Sequence, residues 1–262
     1  MSDEATQILE LAVRAARDAG RIQREQYEGD FEIYTKSAVI DLVTDVDRAC
    51  EKLIIDAIQA ARGEDAILAE EGGGNDDPDA EWRWVIDPLD GTANYAHGYP
   101  RFCVSIGVEQ RGLATVGVVY DPLLDELFSA VRGRGAKLNN RPLRVTTEAR
   151  LDHAMLATGF AYDVHRSLED NLDHFTVFVK SCQAIRRDGS AALNLCYVAA
   201  GRFDGFWEIK LHPWDVAAGL LIVEEAGGRT SDFSGQQGCA SGQEVVASNT
   251  HLHEALLEIL QR

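Results

Sequence analysis

Three apolar runs, at residues 103–109, 115–120 and 126–131, follow one another with only Gly or Asp-Pro turn signals between them. No helical stretch fits in those gaps, and connections this short join antiparallel neighbours, so this part of the chain commits to a meandering sheet. Beyond about residue 150 the pattern becomes alternation. A strand near Ala154, a helix over 167–179 and a strand over 182–185 are followed by helices over 190–200 and 216–226. Strands over 203–208 and 244–247 and a closing helix complete that half. Ahead of the meander, Ile8, Leu11, Ala12, Ala15, Ala19 and Ile22 recur at helical spacing over 5–27. A second helix starts at Thr44, whose T-x-x-D spacing to Asp47 matches a capping box, and it ends near Gly63. A strand over 66–69 leads to Glu70, Glu71 and a Gly-, Asn- and Asp-rich loop over 72–78. This patterning predicts an α+β to α/β layered sandwich. Two packed halves, residues 1–145 and 146–262, share a cleft within one compact unit.

Composition narrows the function. The formal net charge is -18, with 43 acids against 25 Lys and Arg, which disfavours nucleic-acid binding because that needs a basic footprint. It equally repels an anionic substrate unless bound divalent cations reverse the local field. No basic and apolar leader opens the sequence and no apolar run approaches membrane-spanning length, so a soluble, cytoplasmic protein with no membrane partner is expected. Five cysteines lie scattered without C-x-x-C spacing and are expected to be reduced core thiols.

The chemistry concentrates at Trp84-Val-Ile-Asp-Pro-Leu-Asp-Gly-Thr-Ala-Asn94. Trp84, Val85 and Ile86 read as a short buried strand, and Pro88 fixes φ in the turn that follows, so Asp87 and Asp90 can point into one small volume. Two such carboxylates repel unless a cation lies between them. Hard cations such as Mg²⁺ take oxygen ligands, and the Leu89 carbonyl is a third candidate. Gly91 lets the backbone approach a ligand closely, and the N–H groups of Gly91 and Thr92 can cradle phosphate oxygens. Asp41, Asp47, Glu70, Glu71 and Asp215 also sit at element ends, where side chains converge. Taken singly, each serves as a helix cap or a solvated carboxylate.

Five separated matches, in order, make the chain resemble the inositol monophosphatase family of lithium-sensitive, magnesium-dependent sugar phosphatases. They are Asp41-Leu-Val-Thr-Asp-Val-Asp47, Glu70-Glu71, Asp87-Pro-Leu-Asp-Gly-Thr-Ala-Asn94, Gly189-Ser-Ala-Ala192 and Trp214-Asp-Val-Ala-Ala-Gly219 with Glu225-Ala-Gly-Gly228. The resemblance implies the sugar-phosphatase fold, with alternating helix and sheet layers. It implies Mg²⁺ held by Glu70, Asp87, the Leu89 carbonyl, Asp90 and Asp215, the last closing the cleft from the second half. Glu70 and Thr92 would activate the attacking water, with Asp47 orienting the Thr92 hydroxyl. The Gly91 and Thr92 amides would hold the phosphate. Asp90, Ala191 and Glu208 would contact the alcohol portion of the substrate, and Lys36 would lie near the site. A homodimer is implied as well.

The expected activity is Mg²⁺-dependent hydrolysis of myo-inositol monophosphate or a similar small polyol or sugar phosphate ester. Histidinol phosphate, NADP or nucleotide substrates, and a regulatory partner-binding role on the same scaffold, are the alternatives. Gly72-Gly73-Gly74 lacks the Gly-Lys-Ser/Thr ending of a phosphate loop, and the seven histidines form no H-x-x-x-H pair with nearby acids. Trp214 is expected to pack and fix Asp215. Arg186 and Arg187 are left between a structural pair and a phosphate or subunit contact.

Overall fold

The computed structural model describes residues 4–36, 40–237 and 239–262, with the side chain of Cys239 outside that description. Its strands are β1 (Ile33–Thr35), β2 (Leu42–Thr44), β3 (Ala66–Ala69), β4 (Trp82–Asp90), β5 (Cys103–Gln110), β6 (Leu113–Asp121) and β7 (Glu126–Val131). They continue as β8 (Ala136–Leu138), β9 (Arg141–Pro142), β10 (Met155–Thr158), β11 (Ala184–Arg186), β12 (Gly205–Ile209), β13 (Arg229–Ser231) and β14 (Glu244–Ser248). The helices are α1 (Glu4–Gln26), α2 (Asp45–Ala61), α3 (Thr92–Ala96), α4 (Leu172–Ser181), α5 (Ala191–Ala199), α6 (Pro213–Glu225) and α7 (His253–Leu260).

The meander forms: a seven-stranded sheet runs β3-β4-β5-β6-β7-β8-β9, parallel only between β3 and β4. The alternating half forms a five-stranded sheet, β11-β10-β12-β14-β13, whose β10 pairs in parallel with both β11 and β12. Strands β1 and β2 make a separate two-stranded ladder.

Three apolar clusters bond these sheets to helices in layers. Ile8, Ala12 and Ala15 of α1 and Ile54 and Ile58 of α2 pack with Trp84, Ile86, Ile106 and Val118 on one face of the large sheet. On its other face Val119 and Phe128 meet Leu195 of α5 and Leu221 of α6, and those helices also meet Phe206 and Val245 of the small sheet. The far face of the small sheet, Leu156, Trp207 and Val246, is covered by Phe178 of α4 and Leu256 of α7. The order is therefore helix, sheet, helix, sheet, helix. Helices α5 and α6 are nearly all apolar because both flanks are covered, as expected of an interior helix layer.

Close approach of α6 to the large sheet depends on two glycines. A Cβ at Gly107 would stand 2.7 Å from Ala217 Cβ, and one at Gly117 2.8 Å from Ala218 O. This packing seats the N-terminus of α6, with Asp215, against the meander. Thr44 caps α2 as expected: its hydroxyl accepts from Val46 N (3.1 Å), and Asp47 accepts from Thr44 N (2.8 Å). Such a cap contributes about 1 kcal/mol.

Three expectations need correction. β4 does not stop at Ile86 but continues through Pro88 to Asp90, with a register shift against β5 between Asp87 and Asp90. That bulge re-aims the two carboxylates without ending the strand. Helix α6 begins at Pro213, which suits the first helical position, so Asp215 lies in the third position and not ahead of the helix. Helix α4 starts at Leu172, five residues later than its periodicity suggests, because Asn171 takes a left-handed conformation (φ 65°). Its side chain is claimed by Thr158 Oγ1 (2.9 Å), Gly159 O (2.9 Å) and Trp207 Nε1 (2.8 Å). Cys50, Cys103, Cys182 and Cys196 are free thiols. Among the described residues no helix is long and apolar enough to cross a membrane.

Candidate active site

The register shift in β4 sets the site. Pro88 and the bulge turn Asp87 and Asp90 toward the cleft, with Leu89 buried between them. Gly91 then adopts φ 99°, where a Cβ would stand 2.7 Å from Arg101 O, so glycine is required there. Thr92 opens α3. Asn94 Nδ2 ties this turn across the layers, donating to Arg101 O (2.6 Å) and to Asp188 O (2.7 Å) just before α5.

One cleft is lined by Glu70 at the end of β3, by Asp87 through Thr92, by Ala191 at the start of α5, by Glu208 on β12 and by Asp215 on α6. The structure thus brings together every expected ligand and substrate residue. Asp47 is the exception in kind. It is fully buried behind Thr92, whose Oγ1 donates to Asp47 Oδ1 at 2.8 Å and also lies 3.1 Å from Leu89 O. Lys36 reaches in from the end of β1: Nζ donates to Glu70 Oε1 (2.8 Å) and to Glu71.

Electrostatics set this cleft apart from an ordinary polar pocket. Burial pushes the Asp87 carboxyl well above the usual range, and Glu70, Asp90 and Asp215 raise it further. Burial and then Asp90 do the same to Asp215. Asp90 is raised by burial while Ser190 and the Ala192 amide (2.8 Å) hold it back. Glu70 is raised by burial against the pull of Lys36, whose own charge the two glutamates keep despite its burial. Glu70 and Asp87 lie close enough for each to perturb the other. Burial lifts Asp47 to about 6, opposed by its bonds from Thr44 and Thr92.

Among the described residues no three acids close on a common point as a ready-made metal centre. Each carboxylate turns instead to a protein donor: Asp215 Oδ2 to His212 N (2.7 Å), Asp87 Oδ1 to Leu89 N (2.9 Å), Asp90 Oδ2 to Ser190 and Ala192. The donor set nevertheless fits a hard divalent cation. It is all oxygen and carries repelling charge that a cation relieves, with Lys36 as the cation bonded to it.

Glu208, which lines the same cleft, is buried. Burial lifts it to about 8, with Arg187 pulling it back and Asp90 adding to the rise. Gly159 makes room for it, since a Cβ there would fall 2.0 Å from Glu208 Oε1. Arg187 lines the cleft, while the exposed Arg186 donates to its neighbour's carbonyl, Ile185 O at 3.1 Å. Trp214 lines the cleft and stacks on His212, their rings 4.8 Å apart.

Sequence reading did not single out Ser190, Asn94, Tyr162 or Lys210. Ser190 lay inside the quoted Gly-Ser-Ala-Ala motif but was given no role. It caps α5 and bonds Asp90 at once. Lys210 holds the segment bearing Tyr162 through Asp163 Oδ2 (2.8 Å) and Ser167 Oγ (2.6 Å), contacts with no local sequence signal.

Known proteins are similar to this chain along nearly its whole length. A protein of Escherichia coli strain K12 named Nus factor SuhB is 45% identical over 251 residues, 95% of this chain and 94% of its own length. Inositol-1-monophosphatase of Synechocystis sp. is 44% identical over 252 residues, covering 96% and 88% of the two chains. The solved inositol monophosphatase of Anabaena sp. superposes with a TM-score of 0.88 at 39% identity, covering 98% of this chain and 96% of that one. A further solved structure, an IMPase/NADP phosphatase complexed with Mg²⁺ and phosphate, gives 0.87 at 25% identity, with 98% and 96% covered. The model of the inositol monophosphatase family matches residues 4–262, and the chain belongs to that family.

Proposed function

We propose that this family phosphatase is a Mg²⁺-dependent phosphomonoesterase acting on myo-inositol monophosphate or a similar small polyol phosphate. The observation that carries this reading is that Glu70, Asp87, Asp90 and Asp215 line one cleft with Thr92, whose hydroxyl bonds Asp47. Mg²⁺ held by Glu70, Asp87, the Leu89 carbonyl, Asp90 and Asp215 would neutralise phosphate oxygens and lower the pKa of water. With its hydrogen committed to Asp47, Thr92 Oγ1 offers lone pairs that accept a hydrogen from the attacking water and fix its direction. Glu70, lining the same cleft as Thr92, takes the other proton as general base. The Gly91 and Thr92 amides hold the phosphate as it inverts. Water attacks phosphorus directly, the ester P–O bond breaks, the leaving oxygen takes a proton from solvent, and inorganic phosphate and the alcohol leave.

Glu208, lifted to about 8, carries a proton at neutral pH and so both donates to and accepts from substrate hydroxyls. Asp90 and Ala191 flank it. A polyol supplies several hydroxyls, whereas the ammonium of histidinol phosphate would favour an ionised Glu208. Phosphate release from myo-inositol 1-phosphate, with and without Mg²⁺ and again with lithium, tests the proposal. Mg²⁺-dependent release blocked by lithium is expected, and release independent of Mg²⁺ would overturn it. The Nus factor name of the E. coli relative supports a second reading, that the chain also binds a protein partner. A pull-down from the native lysate that gains no partner would remove it.

A further inference from the structure

Six of the 25 Lys and Arg residues, Arg132, Arg134, Lys137, Arg141, Arg144 and Arg150, fall between positions 132 and 150 with one acid, Glu148, among them. In a chain of net charge -18 this is a local inversion of sign. It lies at the free edge of the large sheet, on β8, β9 and the segment that leaves β9. A cavity of about 500 Å³ opens there, lined by Arg134, Lys137, Arg144 and His251 over an apolar floor that includes Leu143 and Val145.

The cations differ in how they are spent. Arg132 pairs with Glu224 (3.2 Å) and Arg150 with Asp152 (2.6 Å), and Arg134 donates to Thr6 Oγ1 (2.8 Å). Lys137 and Arg144 are exposed and have no acidic partner among the described residues. Glu225, the acid that lines the cavity, already accepts from Gly133 N and Gly135 N, both at 2.7 Å. Its charge is held in place by the β7–β8 turn and is outnumbered there by Lys137 and Arg144. The C-terminus of α6 adds about half a negative charge at the rim, less than the surrounding cations supply.

We infer that this cavity is a second binding site, separate from the catalytic cleft, for a small polyphosphate ligand carrying an apolar ring, a nucleoside diphosphate in chemical class. Lys137, Arg144 and His251 meet the phosphates, and the Leu143–Val145 floor takes the base. The volume falls in the range of small-molecule sites. Asp215 and Glu225 mark the two ends of α6, about 15 Å apart at 1.5 Å per residue. The two sites are therefore distinct and joined by one interior helix.

Calorimetric titration of the full chain with ADP, in EDTA so that the catalytic cleft is metal-free, tests the inference. Saturable binding of one ADP per chain is expected, weakened at least tenfold in a Lys137→Ala/Arg144→Ala double variant and by raised salt, with no binding of adenosine. The unfolding temperature of the variant, whose two side chains are exposed, should match the parent and so reports an intact fold. Absence of ADP binding, or equal binding by parent and variant, would overturn the site. Binding of an acidic peptide in place of ADP would overturn the ligand class.

Discussion

Asp204 and Asp87 are both carboxylates withdrawn from water, and they are treated in opposite ways. Asp204 accepts from Thr146 Oγ1 (2.6 Å) and Met155 N (2.8 Å), so each oxygen stitches a passing segment to β12. Glu51 is used in the same manner, accepting from Glu71 N (2.7 Å) and Gly73 N (2.9 Å) and holding the loop behind the cleft. Asp87 accepts one amide, Leu89 N, and otherwise faces Glu70, Asp90 and Asp215. A satisfied buried carboxylate stabilises a fold. A cluster of mutually repelling ones destabilises it until a cation arrives. The difference separates acids kept for architecture from acids kept for a ligand, and burial alone would not reveal it.

The largest effect should come from breaking the cleft set. Glu70→Gln removes the proposed general base while preserving shape. Mg²⁺-dependent phosphate release should fall by about 10²–10⁴-fold in a chain that still folds, and a near-normal rate would remove Glu70 from the mechanism. Breaking the architectural set should act the other way round. Asp204→Ala leaves part-buried donors on Thr146 and Met155 without this acceptor. Chemical denaturation should show a loss of about 2 kcal/mol while the Michaelis constant stays put.

His253 sharpens the contrast with a buried group satisfied in its neutral form. It joins β13, β14 and α7 through Ser231 Oγ (2.9 Å) and Ser248 Oγ (2.8 Å). Burial, then Arg229, lowers its pKa to about 4, against the opposing pull of Glu254. A folded-state pKa below the unfolded 6.5 means that its contribution is complete above pH 6.5. The contribution is lost as pH falls toward about 4. Denaturation midpoints measured between pH 7 and pH 4 should decline, and His253→Asn should flatten that part of the decline.

Much of this was legible in the sequence, and what was not has a physical reason. The capping box at Thr44, the strand over 66–69 and the meander depend on neighbours in sequence, and each formed where expected. The start of α4 depends on Asn171 reaching Thr158 and Trp207, a tertiary contact that overrides helical periodicity. The three-residue β13 and two-residue β9 are too short to carry a periodic signal. In the site, the acids stood out because they clustered at element ends. Ser190 did not, because a serine before a helix looks the same whether or not it also bonds Asp90.

Thermal unfolding of Asp87→Asn and Asp204→Asn in EDTA and in Mg²⁺ bears most directly on the claim that the cleft acids are a cation site awaiting charge. Asp87→Asn should melt roughly 2–4 °C above the parent in EDTA, since it relieves repulsion, and should lose the Mg²⁺-induced rise that the parent shows. Asp204→Asn should melt below the parent in EDTA and keep that rise. If Asp87→Asn were instead destabilised like Asp204→Asn, and Mg²⁺ left the parent unmoved, the cleft acids would be architectural and the account contradicted.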